Sequence, residues 1–138
     1  MNPRKVRVLI ADDEAHIRQL IRFILSSLGA EVVAEAADGE TAVRLYQEHK
    51  PDMVLLDINM PKLDGMEALK RIVAINNKTL VIMLTAQNAL DVVRQCLDHG
   101  ARNFILKSNS AEELDKIIRE TWQEYVEEIR GGEGAHGM

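Results

Sequence analysis

The sequence predicts a doubly wound α/β fold, a five-stranded parallel sheet in the order 2-1-3-4-5 with helices on both faces. Three observations predict it. Short β-branched, apolar runs alternate with stretches whose apolar residues recur at three-and-four spacing, and such alternation implies parallel strands joined by right-handed crossovers. Glycine, proline and capping residues punctuate the boundaries between these stretches. Every strand-like run except the second stops at a polar residue: Asp12, Asp57, Thr85 and Lys107.

The first strand is Lys5 to Ala11, KVRVLIA, ended by Asp12 and Asp13; its unbroken apolar character predicts a central place in the sheet. Ile17, Leu20, Ile21, Ile24, Leu25 and Leu28 then line one helix face, and Gly29 supplies the C-terminal stop. Glu31 to Ala36 makes a short second strand, and Asp38-Gly39 opens a helix through Ala42, Leu45 and Tyr46 that ends before Pro51. Met53 to Leu56 is a buried strand delivering Asp57, followed by a loop over 58–63.

Asp64 and Glu67 have the spacing of a capping box, ahead of a third helix with Met66, Leu69, Ile72 and Val73 as its apolar stripe. Leu80 to Leu84 forms the fourth strand and ends at Thr85. The next helix sets Ala89, Val92, Val93, Cys96 and Leu97 on one side and stops at Gly100. Asn103 to Leu106 is the fifth strand and presents Lys107. Ser110 and Glu113 form a second capping box, opening a last helix over about 110–129. Trp122, Tyr125, Val126 and Ile129 carry its apolar pattern past the expected core, an extension that could fold back, dimerise or meet a partner. Residues 131–138, GGEGAHGM, read as a flexible glycine-rich tail, which leaves 1–130 as a single domain.

Composition narrows the class. A chain of 138 residues buries a core without staples, and the lone Cys96, on an apolar helix face, suits a reducing compartment. The N-terminal apolar run is too short for a signal peptide and ends in acids, and no stretch reaches membrane length, so a cytoplasmic protein with no membrane contact is expected. A net charge of −5, without a basic helix or zinc-finger spacing, argues against direct nucleic-acid binding.

In an open parallel sheet the carboxyl ends of the strands share one rim, where Asp12, Asp13, Asp57, Thr85 and Lys107 would converge. Each alone has an ordinary explanation: a helix N-cap for either Asp12 or Asp13, a solvated surface lysine for Lys107. Together they supply three carboxylates, a hydroxyl and an ammonium, the parts needed for Mg²⁺-assisted phosphoryl transfer to an aspartate.

The segments VLIADDE, LLDINMPKLDGMEAL, VIMLTA and GARNFILK resemble those of response regulator receiver domains of the CheY-like, stand-alone type, with matching spacing to about residue 120. The resemblance implies the flavodoxin-like (βα)₅ architecture and a phosphoacceptor switch of two-component signalling, in chemotaxis or another phosphorelay. It implies that Asp57 takes a phosphoryl group from the phosphohistidine of a histidine kinase or phosphotransfer protein. Asp12, Asp13, Asp57 and the backbone carbonyl of Asn59 would hold Mg²⁺. Lys107 and Thr85 would contact phosphoryl oxygens, and Thr85 with Phe104 would form the switch. A phenylalanine has no hydroxyl, so that coupling would work through packing.

The implied output is binding of a downstream protein through the face made by the fourth helix, fifth strand and fifth helix, as a monomer or a phosphorylation-dependent dimer. Such a protein catalyses its own phosphorylation but is not a turnover enzyme. One departure bears on Lys107: Ser108 follows it where receivers usually carry proline, commonly after a cis bond. Asn59 and Gln87 flank the expected path of hydrolytic water, and neither is a carboxylate.

Three other readings compete. A phosphatase working through a phosphoaspartate would need an acid two residues past the nucleophile, where Asn59 stands. A flavodoxin-like cofactor binder would lead from its first strand into a Ser/Thr/Gly-rich phosphate loop, where this chain has Asp12-Asp13-Glu14. A receiver from a longer transcription factor would use the glycine-rich end as a linker.

Overall fold

The structure is a computed structural model that describes residues 5–86 and 90–136, with side chains described to residue 131. Its elements alternate strictly: β1 (Arg7–Ala11), α1 (Ala15–Ser27), β2 (Glu31–Ala36), α2 (Gly39–His49), β3 (Met53–Asp57), α3 (Gly65–Ile75), β4 (Leu80–Thr85), α4 (Leu90–Asp98), β5 (Asn103–Leu106) and α5 (Ala111–His136). The strands form one parallel sheet in the order β2-β1-β3-β4-β5, as the sequence predicts.

β3 and β4 are buried along their whole length, and the β1 segment from Val8 to Ala11 is as well, while the edge strands β2 and β5 are mostly half-buried. Side chains of a strand alternate between sheet faces, so each central strand feeds two cores. Val8, Ile10, Met53, Leu55, Leu80, Ile82 and Leu84 pack with α1 and α5. Leu9, Ala11, Val54, Leu56, Val81 and Met83 pack with α2, α3 and α4, where Cys96 is also buried. The polar residues that end β1, β3 and β4 thereby reach the same rim, because the register aligns Ala11 with Leu56 and Asp57 with Leu84.

The capping residues act as predicted. Asp38 and Asp64 accept hydrogen bonds from Thr41 N at 2.8 Å and Glu67 N at 2.9 Å, and Ser110 and Glu113 bond reciprocally. Gly29 follows α1 with φ +81°, a left-handed conformation that glycine adopts without a Cβ penalty.

Two elements differ from the sequence reading. Leu97 is 41% exposed, because Val93 and Cys96 alone turn fully inward on α4; Ala89 lies outside the described residues. α5 runs to His136 instead of ending near residue 129, so Gly131 to His136 of the expected tail are helical in backbone. Glycine raises the entropic cost of a helix without a steric clash, and no proline follows to stop it. The extension of α5 folds back in part. Trp122 and Tyr125 pack on the α1/α5 core, and the Tyr125 hydroxyl donates to the Lys78 carbonyl, while Ile129 stays 40% exposed.

Candidate functional site

The end of β1 turns sharply into α1, and the turn is tied from several sides. Asp12 N donates to the Ala36 carbonyl at 3.0 Å, Glu14 N donates to Asp12 Oδ1 at 2.8 Å, and Arg18 donates to the Asp12 carbonyl at 2.6 Å. Arg18 is itself paired with Glu35 on β2 at 3.3 Å. Asp12 is thereby held fully buried while its neighbour Asp13 is exposed.

Asp57 ends β3 and is only 2% exposed. Asn59 N donates to its Oδ1 at 3.1 Å, and Ile58 N is held by the Leu84 carbonyl at 3.0 Å. Behind it, Gly65 N donates to the Ile58 carbonyl at 2.7 Å. A Cβ on Gly65 would stand 2.0 Å from the carbonyl oxygen of Asp57, so only glycine lets α3 begin this close to the end of β3.

Lys107 enters from the end of β5, its N–H donating to the Thr85 carbonyl at 2.8 Å. Its Nζ lies 2.9 Å from Asp12 Oδ2, 3.0 Å from Asp57 Oδ2 and 3.4 Å from Glu14 Oε2. The Lys107–Ser108 peptide is trans, as there are no cis bonds among the described residues, and the lysine still spans both acids. Thr85 is buried and shares a cavity of about 460 Å³ with Asn59, Met66 and Val92. Phe104 is half-buried on the α4 side of the sheet, and Gln87 lies outside the described residues.

Burial pushes the Asp57 carboxyl up to about 6, helped by the charge of Asp12 and opposed by Lys107 and by the Asn59 N–H. Burial also works against the Lys107 ammonium, but hydrogen bonds and charge from Asp12 and Asp57 outweigh it and hold the proton more tightly than usual.

The raised carboxyl makes stability depend on pH. Between pH 3.8 and about 6 the folded chain keeps a proton on Asp57 that the unfolded chain has lost, so stability falls with rising pH through that window and stays lower above it. Asp57→Asn is therefore expected to melt above the parent at pH 7.5 without metal, by about 2 kcal/mol, with the gap closing below pH 4. Equal melting at pH 7.5 would refute the strained carboxylate.

The donor set fits a hard dication. One oxygen each from Asp12, Asp13 and Asp57 lie within 4.8 Å of one another. Asp12 Oδ2 is buried, with the Lys107 ammonium 2.9 Å away and no other donor on it among the described residues. Hard oxygen donors and room for retained water are what Mg²⁺ favours, and one lysine cannot balance so many acids.

The rim therefore brings together Asp12, Asp13, Asp57, Thr85 and Lys107, as the sequence predicts. Arg18 and Gly65 are the contributors that pattern reading misses. Only Gly65 left a signal, a poor helix former placed directly after the N-cap Asp64.

A doubly wound sheet whose rim gathers three carboxylates and a lysine spanning two of them has the groups that phosphoryl transfer to an aspartate requires. The chain belongs to the response regulator receiver domain family, whose model matches residues 8–119. It is 43% identical over 115 residues to the chemotaxis protein CheY of Bacillus subtilis, covering 83% of this chain and 96% of that protein. Among solved structures it resembles the CheX-CheY-BeF3-Mg²⁺ complex from Borrelia burgdorferi, with a TM-score of 0.80 and 35% identity over 84% of this chain and 88% of that one. It also resembles a CheY-like receiver domain protein from Methanospirillum hungatei, with a TM-score of 0.83 and 26% identity over 91% of this chain and 99% of that one. No helix among the described residues is long and apolar enough to cross a membrane.

Proposed function

We propose that Asp57 is the phosphoacceptor of a cytoplasmic two-component switch, charged by a histidine kinase or a phosphotransfer protein. The observation that carries this reading is Lys107 Nζ lying 2.9 and 3.0 Å from the buried carboxylates of Asp12 and Asp57. An Asp57 oxygen attacks phosphorus in line as the P–N bond to the donor imidazole breaks, leaving an acyl phosphate. Asp12, Asp13, Asp57 and the backbone carbonyl of Asn59 would hold Mg²⁺, which when bound supplies positive charge against the phosphoryl oxygens. Lys107 then donates to one phosphoryl oxygen and the Thr85 hydroxyl to another.

Movement of Thr85 into the site opens space that the half-buried Phe104 fills by packing, altering the α4-β5-α5 face that binds a downstream protein. The names of the relatives favour chemotaxis or a similar phosphorelay as the setting. Residues 1–130 would make up this receiver domain, and the protein would act as a switch and not as a turnover enzyme.

Incubation with a small phosphodonor and Mg²⁺ is expected to add one phosphoryl mass, absent in Asp57→Asn and in chelator. Unchanged labelling of that variant would place the acceptor elsewhere.

A further inference from the structure

Lys107 must be aimed from a loop that lacks the usual proline, and the structure shows what aims it. Leu106, Lys107, Ser108 and Asn109 form a turn closed twice between the same two residues. Asn109 N donates to the Leu106 carbonyl at 2.9 Å, and Leu106 N donates to the Asn109 Oδ1 at 3.0 Å. The other end of the same carboxamide, Nδ2, donates to Glu113 Oε2 at 3.1 Å. Glu113 Oε1 accepts from Ser110 N at 3.0 Å, and Ser110 Oγ accepts from Glu113 N at 3.2 Å. Lys107 sits at the corner of this turn, its own N–H on the Thr85 carbonyl.

We propose that Asn109 is a positioning residue for Lys107: its carboxamide clasps the β5–α5 turn to Glu113 and so fixes the lysine between Asp12 and Asp57. The role needs an acceptor toward Leu106 and a donor toward Glu113 on one short side chain, which asparagine provides and aspartate does not. Aspartate would also face the Glu113 carboxylate. Combining Asn109→Asp with Glu113→Gln restores the pattern with donor and acceptor exchanged. The introduced carboxylate accepts from Leu106 N and from the introduced amide, whose oxygen still accepts from Ser110 N. The Ser110 hydroxyl caps the helix by accepting from Glu113 N, while the bond to Leu106 belongs to Asn109, which separates aiming from simple capping.

The inference rests on the proposed role of Lys107 only for its effect on phosphoryl uptake, so the test reads the lysine itself. Amine acylation of the full chain in Mg²⁺-free buffer, mapped by peptide mass, reports how firmly Lys107 is held between the acids. Asn109→Ala and Asn109→Asp are expected to raise acylation at Lys107 by about five-fold, the effect of losing one directed hydrogen bond. Asn109→Asp with Glu113→Gln should return it close to the parent level, and Ser110→Ala should leave it unchanged despite a lower melting temperature. Parent-like acylation in Asn109→Asp, failure of the paired exchange to restore protection, or an equal rise in Ser110→Ala would overturn the clasp. Phosphoryl labelling of Asp57 is not part of this readout, so the two readings fail separately.

Discussion

Lys107→Ala is expected to lower stability by about 3 kcal/mol in metal-free buffer at pH 7.5, since it strands two buried carboxylates without their counter-charge. Asp12 is fully buried and Asp57 nearly so, and Lys107 is the cation spanning both. Part of the loss is relieved as Asp57 takes up a proton, its carboxyl already raised to about 6 with the lysine present. Mg²⁺ should therefore stabilise the variant more than the parent, because the positive charge missing from the acidic site is greater in the variant. Thermal melts of both proteins with and without Mg²⁺ check this. A variant as stable as the parent without metal would mean that the acids are screened by other means.

Gly65→Ala should cost a similar amount, about 3 kcal/mol or a fall of about 10 °C in Tm, at the upper end for overpacking. The clash is with backbone, since the new methyl would meet the Asp57 carbonyl oxygen at 2.0 Å and the Ile58 Cα at 2.7 Å. No rotamer change relieves it; either α3 slides away or the end of β3 moves. Phosphoryl uptake should slow in parallel, as the displaced carbonyl belongs to the acceptor residue. Gly131→Ala provides the contrast, being helical with nothing within 4 Å of the added methyl, and should stabilise by about 0.5–1 kcal/mol. A parent-like melt for Gly65→Ala would show that α3 yields freely.

The central strands were legible because burial on both faces leaves an unbroken apolar run, and the rim residues because each run ends at a polar side chain. Parallel pairing followed from alternation and crossover handedness, which leave 2-1-3-4-5 as one of the two common doubly wound orders. Part of what escaped depends on distance across the chain. Arg18 reads as one more charge on the solvated face of α1, and nothing near it in sequence announces the Asp12 carbonyl or Glu35 on β2. Asn109 escaped although its partners are local, three residues back and four ahead, because an asparagine beside a capping serine reads as an ordinary loop residue. Leu97 and the far end of α5 were misjudged for a different reason. Periodicity gives a helix face, but the width of the neighbouring core decides how much of that face is covered and how far the helix continues.

α5 is fastened at both rims of the sheet, by the Asn109, Ser110 and Glu113 bonds at its start and by the Tyr125 hydroxyl on the Lys78 carbonyl near its midpoint. At 1.5 Å per residue its 26 residues make a rod of about 39 Å. Thr121 also accepts from Asn103 Nδ2 at 3.0 Å and Glu128 pairs with Arg102, so the sheet braces the helix against roll and slide as well as swing.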